Sequence, residues 1–206
     1  PGSGSPFSWK HAVESCKRAT LVTTSTRALQ RIYAAHGRGV VLDNYVPEAF
    51  LQFPKPETGQ FGWAGTTKSH PNDLQVTGHT AQRLVDEGHP LQIVGGDPNV
   101  RGALRLRDTP QMTGSVGIAE WAMSIADNLD VGMVPLAPTA FNTSKSRLKG
   151  IELFAVGVPW VASPREEYRK LAREAGCGLL ADTPKQWYSQ LKLLLTDDVL
   201  RKEQAE

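Results

Sequence analysis

Lys145, Arg147, Lys149 and Glu152 lie in the run FNTSKSRLKGIELFAVGVPWVAS, residues 141–163. Three cations and a carboxylate placed just before an apolar run are more than a packing helix needs. An ammonium group suits a phosphate, and a carboxylate can accept from two adjacent ribose hydroxyls. On a helix over residues 145–156, Lys149 falls about 40° from Lys145, and Glu152 about 20° to its other side. Leu148, Ile151 and Ala155 form the adjoining apolar stripe, so the charged face borders the core. An exposed Lys149–Glu152 pair would add only ~0.3–0.5 kcal/mol. A helix N-terminus favours an anion by ~0.3–1 kcal/mol, and this one follows the long connection APTAFNTSKS off a strand end. The stretch reads as a nucleoside-diphosphate clamp. Lys149 and Glu152 are its centre, with Asn142, Ser144, Ser146, Arg147 and Leu148 as flanking contacts.

A second candidate loop is GWAGTTKSHPND, residues 62–73. Gly65 allows close backbone approach, while Thr66, Thr67, Lys68 and His70 offer hydroxyl, cation and imidazole groups. A helix predicted from about Pro71 would add free backbone N–H groups. An ordinary polar turn explains this loop about as well. The same holds for Gly95 and Gly96 in IVGGD, which end a buried strand. No G-x-G-x-x-G or G-x-x-x-x-G-K-[ST] run occurs, so neither a dinucleotide fingerprint nor a P-loop is supported.

These loops need strands to carry them. Short β-branched runs alternate with helical stretches, the pattern of an α/β fold with a parallel sheet. A helix is predicted over 9–18, a strand over 20–25, a helix stopped by Gly37, and a strand in GVVLDNYVP. The segment 48–59 is rich in proline, without period, and reads as a linker. Beyond it, strands are predicted at 60–64, in PLQIVGGD, QMTGSV and DVGMVPLA, and in CGLLAD. Between them, Leu74, Thr77, Ala81, Leu84 and Val85 recur at helical spacing, and GIAEWAMSIADNL is helical. PNVRGALRLRD is either a short helix or an irregular connection. Capping boxes are predicted at Ser163–Glu166 and Thr183–Gln186, with Gly176 ending the helix between them.

The 206 residues are 40% hydrophobic and 21% charged, enough for a sizeable core. A net charge of +2 is too small to argue for nucleic-acid binding. Cys16 and Cys177 lack metal-ligand spacing and read as reduced thiols of a cytoplasmic protein. No run reaches the ~18 apolar residues of a membrane span, although the Lys145–Lys149 patch is suited to peripheral contact with an anionic surface. The leading PGSGS reads as a cloning scar.

The 141–163 run resembles the retaining, group 1 nucleotide-sugar glycosyltransferases of the two-Rossmann-domain (GT-B) type. Their pattern S-x-x-K-x-x-E-x-x-A-x-G-x-P-V-(V/I)-A is met by Ser146, Lys149, Glu152, Ala155, Gly157, Pro159, Val161 and Ala162, with Trp160 where valine is usual. DVGMVPLAP and VVLDNYVP resemble the preceding strand and the domain crossover. The resemblance implies a Rossmann-like C-terminal donor domain over 60–206 and the tail of an N-terminal domain over 6–47. It implies that Glu152 holds the ribose, Lys149 the donor phosphates and the Gly65–Thr66 loop the diphosphate. Ser115 and Val116 would lie near the nucleobase.

Two features depart from the family. Ser144 stands where many members have a first glutamate, and TTKSH replaces an R-x-x-x-x-K-G phosphate pair. The expected activity is sugar transfer from a nucleotide-diphosphate sugar, with retention and without a cofactor or metal. No Asp-x-Asp site is present in the sequence. The acceptor domain would be a missing N-terminal half, and this chain alone would transfer poorly. A nucleotide-sugar epimerase shares the architecture but needs an acid/base set that the sequence does not locate. A non-catalytic binding domain would keep the Lys–Glu pair, and Ser144 supports it.

Overall fold

The computed structural model describes residues 6–53 and 57–205. The leading PGSGS and residues 54–56 of the expected linker lie outside the described residues. The chain opens with helix α1 (Pro6–Arg18), strand β1 (Val22–Thr24), helix α2 (Arg27–Tyr33) and strand β2 (Gly39–Val41). Strands β1 and β2 pair in parallel as a separate two-stranded sheet. A 3-10 turn at Glu48–Gln52 follows.

The main sheet has six parallel strands. They are β3 (Phe61–Gly65), β4 (Leu91–Gly95), β5 (Gln111–Met112), β6 (Val131–Val134), β7 (Trp160–Ala162) and β8 (Leu179–Leu180), in the spatial order β5-β4-β3-β6-β7-β8. The central strands are apolar almost throughout because both faces are covered. Phe61, Trp63, Leu91, Ile93, Val131 and Met133 face one core. Helices α3 (Thr80–Asp86) and α9 (Pro184–Thr196) cover it, and Trp187, Leu191 and Leu194 belong to it. Ala64, Val94, Val134, Trp160 and Ala162 face the other core. That side is covered by α5 (Trp121–Asn128), α7 (Leu148–Ala155) and α8 (Glu166–Ala175).

The remaining helices are α4 (Val100–Ala103), α6 (Ala140–Ser144) and α10 (Asp198–Glu203). The order runs outward in opposite directions from β3 and β6. A topological switch point therefore lies between these two strands, and in open α/β sheets ligands bind there, outside the carboxyl ends.

The strands fall where the apolar runs predict them, and Thr183 forms its capping box with Gln186, with Pro184 at the first helical position. Gly176 ends α8 in the left-handed conformation. Cys16 and Cys177 are free thiols.

Three expectations need correction. The helix predicted from Pro71 begins only at Thr80, because a 3-10 turn at Leu74–Thr77 and Gly78, at φ 61°, come first. Ser163 does not cap α8. Its hydroxyl accepts from the Leu136 N–H, tying the exits of β6 and β7, and Arg165 is the N-cap. The helix predicted over 145–156 begins only at Leu148: a separate α6 ends at Ser144, and Lys145 is extended between the two at φ −64° and ψ 143°. Lys145 therefore does not share a helical face with Lys149.

Candidate functional site

The carboxyl end of β3 meets the first turn of α7 at the switch point. Lys149 reaches back so that its Nζ donates to the Ala64 carbonyl, 5.2 Å from the centre of the Trp63 ring. Gly65 lies beneath it at φ 151°, and a Cβ there would come within 2.9 Å of Lys149 Nζ and of Trp63. Glycine is what lets backbone and ammonium approach this closely. Gly150 serves the same end on the other side of α7. A side chain there would come within 2.7 Å of Leu171, so glycine seats the helix close against α8.

Burial pulls the Lys149 ammonium down to about 8; Glu152 opposes that shift and Lys145 adds to it. Glu152 lies one turn later on α7. Burial raises its carboxyl, against a hydrogen bond to Trp121 and the attraction of Lys149. Both side chains are half-buried, so they are not an exposed surface pair.

Asp73 is the hub of the site, and the sequence reading missed it. Its side chain is 3% exposed. Oδ1 accepts from the Ala137 N–H at 2.9 Å and from Asn142 Nδ2. Oδ2 meets His70 Nδ1 at 2.7 Å and Lys145 Nζ at 3.3 Å. Burial alone would raise this carboxyl. Donation from His70 and Ala137, the Lys145 charge and Asn142 outweigh burial and hold it at about 2. His70 stands edge-on to Trp63, with ring centres 5.6 Å apart. Burial lowers its imidazole, Asp73 raises it, and Lys149 and Lys145 lower it further. A cavity of about 170 Å³ opens here, with His70, Lys145, Ser146, Lys149 and Tyr168 on its polar wall. Burial pushes the Tyr168 hydroxyl well up, so it stays protonated.

The other candidates divide into groups. Thr66 and Thr67 hydroxyls donate to Asp97, which also accepts the Thr67 N–H and shapes the loop. Lys68 faces away, into a cleft of about 740 Å³ that it shares with Arg101. Gly96 N–H donates to the Gly65 carbonyl, and Gly95 N–H to Thr113 Oγ1, drawing the ends of β3, β4 and β5 together. Ser115 is exposed beyond β5, with Val116 half-buried beside it.

Asn142 is buried and belongs to the Asp73 hub. Ser144 presents its carbonyl to Thr26 Oγ1, and the Ser146 hydroxyl accepts from Asn44. The opening segment thus grips both neighbours of Lys145. Arg147 pairs with Glu174 and approaches Asp43 at 4.0 Å. Leu148 is half-buried at the start of α7.

Asp73, Tyr168 and Trp121 are thus added to the sequence-derived set, and Lys145 takes its place through Asp73 rather than on a shared helical face. The one local signal for the first was its place three residues after His70. Among the described residues, no group of three or more His, Cys, Asp or Glu is placed to hold a metal, and no helix is long and apolar enough to cross a membrane.

No family model matches this sequence, and no curated protein does. Solved structures do match. HepE of Anabaena, in complex with UDP and glucose, superposes with a TM-score of 0.69 at 15% identity, over 98% of this chain and 61% of its own. TarM of S. aureus, in a complex that includes UDP, gives 0.69 at 16% identity, over 97% of this chain and 41% of its own. WaaG, a glycosyltransferase involved in lipopolysaccharide biosynthesis, gives 0.65 at 16%, over 93% and 60%. The chain therefore spans about two fifths to three fifths of these neighbours. Its fold is that of one Rossmann-like half of a GT-B glycosyltransferase.

Proposed function

We propose that this chain is the donor-binding half of a glycosyltransferase that takes a nucleotide-diphosphate sugar, with Glu152 on the ribose and Lys149 on the diphosphate. The observation that carries this reading is the seating of Lys149. Its ammonium lies over Gly65, at the carboxyl end of β3, beside the switch point. It is poised near 8 by burial, and an incoming anion relieves that strain on its charge. Preorganised cations at such a place stabilise a leaving diphosphate, which is what sugar transfer asks of a protein. The order of Lys149 and Glu152 within the 141–163 pattern supports a retaining transferase of the group 1 type, acting without a metal on a hexose.

The bound UDP of HepE and TarM makes a uridine diphosphate sugar the first donor class to test. Residues 6–47 are read as the tail of an acceptor domain and the crossover from it. Leu21 and Leu42, flanking β1 and β2, are 58% and 57% exposed, which supports a further domain seated against them. The acceptor and full activity would belong to that longer protein.

Calorimetric titration of this chain with UDP, GDP and ADP, beside Glu152→Ala, tests the reading. One nucleotide should bind, and the variant should weaken it by at least about tenfold, as for a lost hydrogen bond to a charged group. Equal binding by both proteins would overturn the role of Glu152.

A further inference from the structure

Asp73 is buried beside the cavity, and its two oxygens do different things. Oδ1 is taken up by main-chain and amide donors, the Ala137 N–H and Asn142 Nδ2. These ties join the loop after β3 to the loop after β6 and to α6. Oδ2 faces the two basic groups on the cavity wall, His70 and Lys145. Among the described residues no carboxylate lines this cavity; Asp73 pairs with Lys145 from behind the wall, and its one charge does not offset both Lys145 and Lys149.

We propose that Asp73 is a positioning residue: Oδ1 locks the loops, and Oδ2 presents His70 and Lys145 as a joint clamp for a phosphate of the bound nucleotide. This rests on the nucleoside-diphosphate reading above. It adds a proton to the binding step.

When Nδ1–H donates to Asp73, the other ring nitrogen of a neutral His70 carries only a lone pair, which repels a phosphate oxygen. Binding therefore draws one proton from solvent onto that nitrogen, giving an imidazolium that donates to the phosphate. The new N–H bond, its proton supplied by solvent, is the one covalent change. The groups facing His70 are Asp73 from its own loop, the Trp63 edge from β3, Lys145 from the α6–α7 junction and Lys149 from α7. In the free protein burial, Lys149 and Lys145 hold His70 low, against Asp73. A bound phosphate raises it, so affinity falls as pH rises between the free and bound values. Lys145 is itself held at the cavity by the grip of Thr26 and Asn44 on its neighbours.

The test is calorimetric titration of the 206-residue chain with UDP, GDP and ADP at about pH 6 and about pH 8. It includes Asp73→Asn, His70→Gln, Lys145→Met and Glu152→Ala, with an unfolding midpoint for each. A terminal phosphate itself titrates near about 6, so the readout is each profile relative to that of His70→Gln. Asparagine keeps the oxygen that Ala137 and Asn142 use and loses the charge that His70 and Lys145 use. Asp73→Asn should therefore lower the midpoint, through the lost charge, but by less than removal of both oxygens would, and leave the chain folded. It should bind at least about tenfold more weakly, with the flatter pH profile of His70→Gln.

Lys145→Met, which touches only the Oδ2 side, should weaken binding similarly with the fold intact. It carries the test if Asp73→Asn unfolds. Weakening in Glu152→Ala alone, with the other three binding like the parent chain, would sink this inference and leave the nucleotide reading standing. Binding of no nucleotide by the parent chain would overturn both.

Discussion

Two carboxylates in this molecule, Asp73 and Glu87, are held at about 2, and they occupy opposite settings. Glu87 follows α3 on the outer surface, where Lys192, Tyr188 and Arg83 donate to it at 2.8, 2.9 and 3.2 Å. Arg83 also covers the Tyr188 ring at 3.5 Å. Every cation there has found its partner, and the result is a brace between α3 and α9. Asp73 is buried, and the cations around it are crowded. Lys145 and Lys149 depress His70 and Lys145 depresses Lys149, all on the wall of a cavity at the switch point. A depressed carboxylate alone is therefore no mark of a site. Mutually unfavourable cations kept together at a strand end are such a mark, because a folded protein tolerates them where an anion is to bind.

The largest expected break in this contrast is Asp73→Ala. Removing both oxygens takes the acceptor from Lys145 and the Ala137 N–H and leaves Asn142 with the Ala137 carbonyl alone. It should cost about 3 kcal/mol or more in urea denaturation, as for a broken buried pair. Gly65→Ala comes next. A side chain at φ 151° meeting Lys149 should cost about 1–3 kcal/mol and weaken nucleotide binding, read by denaturation and calorimetry.

The pH dependence of stability sharpens the same contrast. Both carboxyls are depressed, Asp73 from 3.8 and Glu87 from 4.5. Each contributes stability that is complete above its ordinary value and lost as pH falls towards about 2. Added salt should remove the Glu87 contribution, which is exposed to solvent, and leave that of Asp73. In high salt, Asp73→Asn should therefore flatten the acid slope of stability, and Glu87→Gln should not.

Thr183→Ala, which removes the cap of the helix carrying Tyr188 and Lys192, should cost about 1 kcal/mol without altering nucleotide affinity. Glu87→Gln should have the smallest effect: a slight fall in midpoint, vanishing in salt, with binding unchanged.

The two regions also differ in how legible they were. The strands of the main sheet could be read because burial on both faces leaves nearly continuous apolar runs, such as VGMV and LQIV, the latter interrupted only by Gln92. The Thr183 cap was readable because its parts are neighbours in the chain. Lys149 and Glu152 were readable because they share one helix at a characteristic spacing. Asp73 was not, since its partners Ala137, Asn142 and Lys145 lie 64, 69 and 72 residues away. The break at Lys145 was hidden for the same reason, being set by Thr26 and Asn44 from the opening segment. Periodicity registers a face, but not a contact made across the fold.

The most direct measurement of where a nucleotide sits is lysine acetylation at about pH 8, with each site resolved by mass spectrometry, with and without UDP, GDP or ADP. Lys149, depressed to about 8, should be labelled in the free chain and protected by the nucleotide that binds. Lys68, in the 740 Å³ cleft on the far side of the loop, should be labelled equally in both. Protection of Lys68 with Lys149 unaffected would place the nucleotide in that cleft and contradict the assignment of the α7 site.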